Sequence, residues 1–155
     1  MAVRMELARI LIRELNDYQL IELREVAPAE DEGTTNGHGP QSFSQVEGGR
    51  SFPIVIGLPE AQAIERRLKG IQIKRPQTHD LLMNIITALG AKLESITIND
   101  LSDHTFFAVL NVRDKAGKQL QIDSRPSDAI ALGIATNVPI FVEEHVLESA
   151  QSEEP

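Results

Sequence analysis

Apolar and polar residues alternate along two stretches of the chain, and these stretches align with each other without a gap. Residues 10–26 read ILIRELNDYQLIELREV, and residues 96–112 read ITINDLSDHTFFAVLNV. The period of two is typical of strands with one buried face, and a short polar segment interrupts it in both stretches. Each stretch therefore predicts a β-hairpin.

The similarity between the two halves continues beyond the hairpins. Residues 52–64 (FPIVIGLPEAQAI) resemble residues 118–131 (KQLQIDSRPSDAIA), at a shorter offset. Residues 27–49, rich in Gly, Ser, Thr and acids, account for the difference. We predict one domain at 1–150 with an internal duplication, about 3–90 and 91–148, a flexible insertion at 27–49 and a disordered acidic tail at 151–155.

The periodicity also gives a map of secondary structure. Strands are predicted at 4–14, 18–26, 51–57, 92–100, 104–113, 118–123 and 139–142, and helices at 59–69, 77–89, 126–136 and 143–149. Runs of strands followed by helices indicate an α+β fold, here duplicated β-β-β-α units that form a mostly antiparallel sheet with helices packed on it.

Two of the predicted helices differ in their apolar pattern. The helix at 77–89 has one apolar stripe, which predicts an amphipathic, half-buried helix; the stripe consists of Leu81, Leu82, Ile85, Ile86 and Leu89. The helix at 126–136 is apolar all round, so we expect it to be the most buried element.

Composition and charge narrow the classes of function. The 155 residues include no cysteine, which excludes disulfides, thiolate zinc sites and cysteine nucleophiles. The first 15 residues lack the apolar run of a signal peptide and nothing approaches a membrane span, so we expect a cytoplasmic protein with no membrane partner. The net charge of -8 would repel nucleic acid unless a basic patch or a cation intervened.

Candidate chemistry lies in two similar segments, RPQTHDLL (75–82) and RPSDAIAL (125–132), each with Arg, Pro, a hydroxyl residue and Asp at a predicted helix start. Asp128 either simply caps its helix or, with Arg125 and Asp123, lies in a polar cleft that binds a cation or positions a water. His79 is either structural or a group that transfers protons near neutral pH.

A basic stretch at residues 65–75 (ERRLKGIQIKR) offers the local positive charge that nucleic acid would need. The alternative is a solvated helix face followed by a linker. No aromatic residues interleave with these cations, so base stacking is not predicted. The sequence has no phosphate loop, dinucleotide fingerprint or G-x-S-x-G elbow.

Taken together, FPIVIGLPEAQAI, RPQTHDLLMNII and RPSDAIALGI followed by VPIFVEE resemble the bifunctional nuclease family, the BFN domain of bacteria and plants. The resemblance covers residues 3–148 apart from the insertion. It implies a duplicated α+β fold and, as in characterised plant relatives, hydrolysis of RNA and DNA. His104 stands where the family's hairpin commonly has glycine, and a positive φ there would cost stability.

The motifs carried over from the family give the candidate site residues, whose roles are our hypothesis. The leading hypothesis is a metal-assisted nuclease of low sequence specificity. The catalytic candidates are His79, Asp80 and Asp128; the substrate-binding candidates are Arg75, Arg125, Thr78, Ser127 and Glu60; the ligands for Mg²⁺ or Mn²⁺ are Asp128, Asp80 and Asp123.

The alternative is a non-catalytic oligomeric or regulatory protein-binding domain. In that version Arg75 and Arg125 pair with Asp128 and Asp80 as structural locks between the two halves. A third version, a small-ligand sensor, would require an apolar pocket. The expected partners are nucleic acid and, because sheet edges are exposed, an identical subunit.

Overall fold

A computed structural model describes residues 1–13, 15, 18–28 and 43–152 of the chain. Every predicted helix and strand is present, with ends displaced by a few residues at most, and one short strand is added. In chain order the elements are β1 (Ala2–Leu11), β2 (Gln19–Pro28), β3 (Phe43–Gln45), β4 (Ser51–Ile56), α1 (Leu58–Leu68), α2 (Thr78–Ala88), β5 (Lys92–Ser102), β6 (Thr105–Arg113), β7 (Gln119–Ser124), α3 (Pro126–Thr136), β8 (Ile140–Glu143) and α4 (Glu144–Ser152).

The strands form one sheet in the order β3-β2-β1-β8-β5-β6-β7, with β4 also paired to β2. All the pairings are antiparallel except that of β5 with β8. The predicted α+β fold, a mostly antiparallel sheet with helices packed on it, is confirmed. Across the described ranges, no helix is long and apolar enough to span a bilayer.

In each half of the chain a hairpin is followed by a third strand that pairs with the hairpin's second strand. These third strands are β4, which pairs with β2, and β7, which pairs with β6. A duplication would produce this shared order, but β8 has no counterpart among the described residues of the first half. Duplication and the predicted domain bounds therefore stay predictions.

The core consists of buried residues of the sheet and of α1, α3 and α4. Alternate residues of β5 such as Ile96 and Ile98 are fully buried, whereas Thr97 between them is not. The expectation that α3 is the most buried helix is confirmed, because seven of its residues are buried. It packs against α1, α2, β5 and β6, so the first turn of α3 has a fixed position in the molecule.

The prediction of a half-buried α2 is wrong. No residue of α2 is buried, and four of the five residues of the predicted stripe are exposed: Leu81 is 52% exposed, Leu82 40%, Ile85 46% and the adjacent Leu89 71%. The helix packs instead through His79, Met83 and Ile86, which are half-buried and share a face at i, i+4 and i+7. The sequence offered two apolar faces, and the side with the histidine is the one that faces α3.

Parts of the predicted flexible insertion and of the predicted disordered tail form regular secondary structure. Within the insertion predicted at 27–49, Ala27 and Pro28 continue β2, and β3 pairs with residues 26–28. The centre of the Phe43 ring lies 3.5 Å from the guanidinium carbon of Arg4. The polar composition of the insertion did not indicate this contact. Residues 151–152 of the predicted tail are helical. Residues 29–42 and 153–155 lie outside the described residues.

An ion-pair network joins the end of β2 to α4. The Arg50 guanidinium donates to both carboxylate oxygens of Glu25, at 3.2 and 3.3 Å, and to the carboxylate of Glu144, at 2.5 Å. The hydrogen bond from the Arg50 side chain is the main cause that holds the pKa of Glu25 and of Glu144 below the usual range. Both carboxylates are therefore charged at neutral pH and stabilise this corner of the fold.

We expect Arg50→Met to lower the free energy of unfolding at pH 7 by about 1 kcal/mol, counting only the partly exposed pair with Glu25. Because the folded-state pKa of Glu25 is lowered from 4.5, its contribution is complete above that value and is lost as pH falls through the folded pKa. Urea unfolding at pH 7 and at acid pH measures both effects. If Arg50→Met lost as much stability on acidification as the natural chain, this assignment would be contradicted. Arg9→Met, which removes an exposed ion pair with Glu22, is the control.

The β5–β6 hairpin turns through two residues with positive φ, Asp103 at 49° and His104 at 61°. An L side chain is strained in this region, whereas glycine is not. We therefore expect His104→Gly to raise the free energy of unfolding by about 1 kcal/mol, measured by thermal melting. Thr105→Gly, in the adjacent strand, should have the opposite effect. Equal melting temperatures for His104→Gly and the natural chain would remove the case for strain at this turn.

Candidate functional site

A cleft of about 670 Å³ lies where three helices begin, beside β7. Glu60 lines it from the first turn of α1, Thr78 and His79 from that of α2, and Arg125 and Asp128 from the start of α3. The first-turn amide groups of a helix have no partner within the helix, and the helix dipole is positive at that end. Three converging starts make the cleft favourable for anionic groups.

A continuous chain of hydrogen bonds crosses the cleft from α2 to α3 and on to α1. His79 Nε2 lies 2.9 Å from Asp128 Oδ1, and Arg125 Nε donates to Asp128 Oδ2 at 3.0 Å. Arg125 Nη2 also donates to Glu60 Oε1 at 2.9 Å. The structure therefore brings Asp128, His79, Arg125 and Glu60 together in one cleft; their roles stay predictions.

Local sequence explains why these groups meet. Pro126 occupies the first position of α3, where its missing N–H costs nothing, so the helix begins directly after β7. Asp128 then falls in the first turn, and Arg125 precedes it in an extended conformation at the N-cap. On α2, His79 shares the inward face with Met83, which directs the imidazole toward α3.

The Asp128 carboxyl group is ionised at neutral pH although it is partly buried. Burial is the largest single influence and raises the pKa of Asp128. The hydrogen bonds from His79 and Arg125 together lower this pKa by more than burial raises it. The net pKa lies below the usual value. The same contact with Asp128, followed by that with Glu60, raises the pKa of Arg125. The cleft therefore holds a fixed carboxylate against a permanent guanidinium.

Since Asp128 is ionised, the hydrogen at the His79 contact belongs to Nε2, which donates to the carboxylate. A neutral imidazole with a proton on Nε2 has its lone pair on Nδ1. A carboxylate that orients a histidine in this way fixes the tautomer and stabilises the imidazolium that forms when the ring accepts a proton. The pair can therefore act as an oriented general base.

Asp80 does not belong to this arrangement. Its Oδ2 accepts the backbone N–H of Gln77 at 3.0 Å, so it closes the N-terminus of α2. It lines a separate cavity of about 60 Å³ that shares His79 with the cleft. The structure does not bring Asp80 into the cleft with Asp128, because a carboxylate at the third helical position is drawn to the amides of its own helix; its catalytic role stays a prediction.

The predicted metal ligands do not fit a metal site. Asp123 reaches the cleft from β7, but Asp80 caps α2, and both oxygens of Asp128 already bind His79 and Arg125. Among the residues that the structure describes, no group of three or more His, Cys, Asp or Glu side chains could hold a metal ion. A preformed site for Mg²⁺ or Mn²⁺ usually requires several free oxygen ligands.

The remaining candidates divide between the cleft and elsewhere. Thr78 and Glu60 line it, whereas Ser127 is buried and is absent from its lining. Arg75 is exposed, does not line the cleft and forms no ion pair within the described ranges. The predicted locks, Arg75 with Asp128 and Arg125 with Asp80, are therefore wrong, because Arg125 turns to Asp128 of its own helix and to Glu60.

Arg66 lines the cleft from α1 and was not among the candidates. It belongs to the basic stretch at residues 65–75, which the sequence indicated as a phosphate-binding surface. The signal that would have singled it out is its spacing from Pro59, Gln62 and Ala63, which also line the cleft, because helix positions three, four and seven apart lie on one face. Its guanidinium forms no hydrogen bond or ion pair within the described ranges, so the cleft has a second cation besides Arg125.

Comparison with known proteins shows which family this chain resembles. The family model described as bifunctional nuclease domain matches residues 43–155. An uncharacterized protein of Mycobacterium tuberculosis, in strains CDC 1551 and H37Rv, is 42% identical over 106 residues, which are 68% of this chain and 62% of that protein. Bifunctional nuclease 2 of Arabidopsis thaliana is 23% identical over 100 residues, 63% of this chain and 30% of the plant protein. The matched region thus spans less than two thirds of these relatives.

We expect Arg125→Gln to raise the pKa of Asp128, because burial remains while one of the two hydrogen bonds that lower the pKa is lost. Carboxyl ¹³C chemical shifts followed against pH report this titration directly. Glu60→Gln is the matched control, since Glu60 contacts Arg125 and not Asp128. An unchanged Asp128 titration in Arg125→Gln would mean that the guanidinium does not hold the carboxylate in its charged form.

Proposed function

The chain belongs to the bifunctional nuclease domain family, and we propose that it is a hydrolase that cleaves phosphodiester bonds of RNA or DNA with low sequence specificity. The observation that carries the proposal is the 2.9 Å contact between His79 Nε2 and the ionised Asp128 in an open cleft. Family membership and the plant relative's name support the substrate class that we propose. The nuclease activity and a cytoplasmic location, with nucleic acid and an identical subunit as partners, belong to this proposal.

The phosphate is bound by cations and helix starts rather than by base contacts. Arg125 uses Nε and Nη2 for Asp128 and Glu60, and its side chain is 65% exposed, so within the described residues Nη1 is left for a phosphate oxygen. Arg66 supplies a second guanidinium from α1. Guanidinium groups bind phosphate oxygens through paired N–H donors. Such contacts carry no sequence information, which is why we propose low specificity.

In the proposed reaction His79 takes a proton from water at Nδ1 while Nε2 donates to Asp128. The water oxygen forms a bond to phosphorus, the bond from phosphorus to the ester oxygen breaks, and that oxygen leaves with a proton from the protonated imidazole or from solvent. Arg125 and Arg66 neutralise the charge that develops on the phosphoryl oxygens. Asp128 remains ionised throughout and orients the imidazole.

A divalent cation has no step in this proposal, because the predicted ligands are engaged elsewhere. If Mg²⁺ or Mn²⁺ nevertheless supports hydrolysis, it would supply Lewis-acid stabilisation of the phosphoryl oxygens. An assay with and without chelator separates the two cases.

A second candidate function rests on the same hydrogen bonds. Asp128 joins α3 to α2 through His79, and Arg125 joins α3 to α1 through Glu60, so the four groups could be a structural lock in a regulatory protein-binding domain. A partly buried pair that loses one member leaves an uncompensated charge and destabilises the fold. This version predicts that variants lacking one member of the pair are less stable than the natural chain, and that the natural chain hydrolyses no nucleic acid.

We expect the natural chain to release nucleotides from labelled RNA or DNA and His79→Gln to reduce kcat by about 10²-fold or more, because a general base is removed. Asp128→Asn should cause a loss of similar size, because the histidine tautomer is no longer fixed. The assay is run with Mg²⁺, with Mn²⁺ and with chelator, and thermal melting is recorded for every variant.

Asp80→Asn is the matched control, because Asp80 caps α2 and does not line the cleft. It should keep most of the activity of the natural chain. Equal hydrolysis by the natural chain, His79→Gln and Asp128→Asn would indicate a contaminating nuclease and refute the assignment. No hydrolysis by the natural chain, with lower melting temperatures for the Asp128 and His79 variants, would establish the structural lock instead.

A further inference from the structure

The two edges of the sheet differ in their protection against pairing with another strand. One edge is formed by β3, which has three residues, and by β4, which contains Pro53 and so lacks one backbone donor. The opposite edge is β7. It has six residues without Pro, Lys or Arg, pairs in unbroken register with β6, and has no second strand neighbour among the described residues. Short length, proline and basic side chains are common means of blocking an edge, and β7 uses none of them.

The residue pattern of β7 is complementary to itself. Gln119, Leu120, Gln121, Ile122 and Asp123 alternate polar and apolar side chains symmetrically about Gln121. In an antiparallel pair centred on Gln121, Leu120 of one copy lies opposite Ile122 of the other, and Asp123 lies opposite Gln119. No like charges face each other, and apolar residues meet on one face, as cross-strand pairing requires.

An apolar surface lies beside this edge. Leu82 of α2 and Ile122 of β7 line the same cleft, and Ile122 is 43% exposed. Ile85 follows Leu82 on the outward side of α2, one turn along the helix, and is also exposed. A strand added at β7 would therefore cover apolar side chains of the helix as well as pair the free backbone groups of the edge.

We propose that β7 is a docking edge for a second copy of this chain, whose own β7 pairs with it antiparallel about Gln121, so that two sheets join into one. The second copy is the occupant because the pattern of β7 matches itself under a two-fold axis, and closed two-fold dimers are the commonest symmetric assemblies. The outward side of α2, through Ile85, packs against the copy. This inference does not depend on whether the cleft hydrolyses a phosphodiester bond.

The proposed dimer would also complete the outer wall of the cleft. Asp123 and Ser124, at the end of β7, line the cleft together with Arg125. A neighbouring strand at this edge brings residues of the second copy to the mouth of the cleft and narrows its access.

Cysteine cross-linking tests the register, because the natural chain contains no cysteine. Opposed residues of antiparallel strands have Cα atoms about 4.5–5.5 Å apart, within the range that a disulfide spans. We expect Gln121→Cys to form a disulfide-linked dimer of twice 17.1 kDa under mild oxidation. Val55→Cys, on the exposed face of β4 at the opposite edge, is the control and should remain mostly monomeric.

The association itself is measured by sedimentation equilibrium of the full chain at micromolar concentrations. We expect a dimer, and we expect Ile122→Lys and Ile85→Lys each to raise the dissociation constant at least about tenfold, whereas Val55→Lys should leave it unchanged. Circular dichroism establishes that each variant is folded. A monomer at every concentration overturns the proposal, as does a dimer that these substitutions leave intact, or equal cross-linking of Gln121→Cys and Val55→Cys.

Discussion

The ionised carboxylate of Asp128 lies where three helices begin, and hydrogen bonds through it and its partner Arg125 link all three. The free amides at the start of α3 favour its negative charge, His79 donates to one oxygen, and Arg125 donates to the other. The Asp128 carboxylate therefore links α3 to α2 through His79. It also binds Arg125, whose guanidinium links α3 to Glu60 on α1. The hydrogen bonds that link the three helix starts are therefore also those that orient the imidazole.

The charge of the cleft matters more for phosphate binding than the charge of the whole chain. A net charge of -8 slows the approach of a polyanion, but salt screens exposed charges beyond about 8–10 Å. Within that range a phosphate in the cleft would meet Arg66, Arg125 and the starts of three helices. Glu60 and Asp128 limit the attraction, since each engages Arg125. The resulting site would bind one phosphate group firmly and a long nucleic acid weakly, which agrees with a local rather than an extended interface.

Sequence reasoning located the fold and half of the site because those features depend on local patterns. Alternation gave the hairpins, and proline at a helix start placed Asp128 in the first turn of α3. The proximity of His79 to Asp128 followed from treating two similar segments as facing each other. The predicted pairing of Arg75 with Asp128 was wrong because the similarity of the segments does not extend to their side-chain directions. Asp80 lies outside the cleft because the amides of its own helix compete for a carboxylate at that position. The burial of α2 could not be predicted, because both of its sides carry apolar residues.

The weak packing of α2 connects the edge of the sheet to the proposed chemistry. No residue of α2 is buried, so the helix is held mainly by the half-buried face that includes His79 and Met83. Elements with few buried contacts open most easily in a folded protein, and any displacement of α2 carries the imidazole away from Asp128. A second copy that covers Leu82 and Ile85 would restrain the helix from its outward side. In the proposed dimer, the exposed apolar side chains of α2 would therefore help to keep His79 within hydrogen-bonding distance of Asp128.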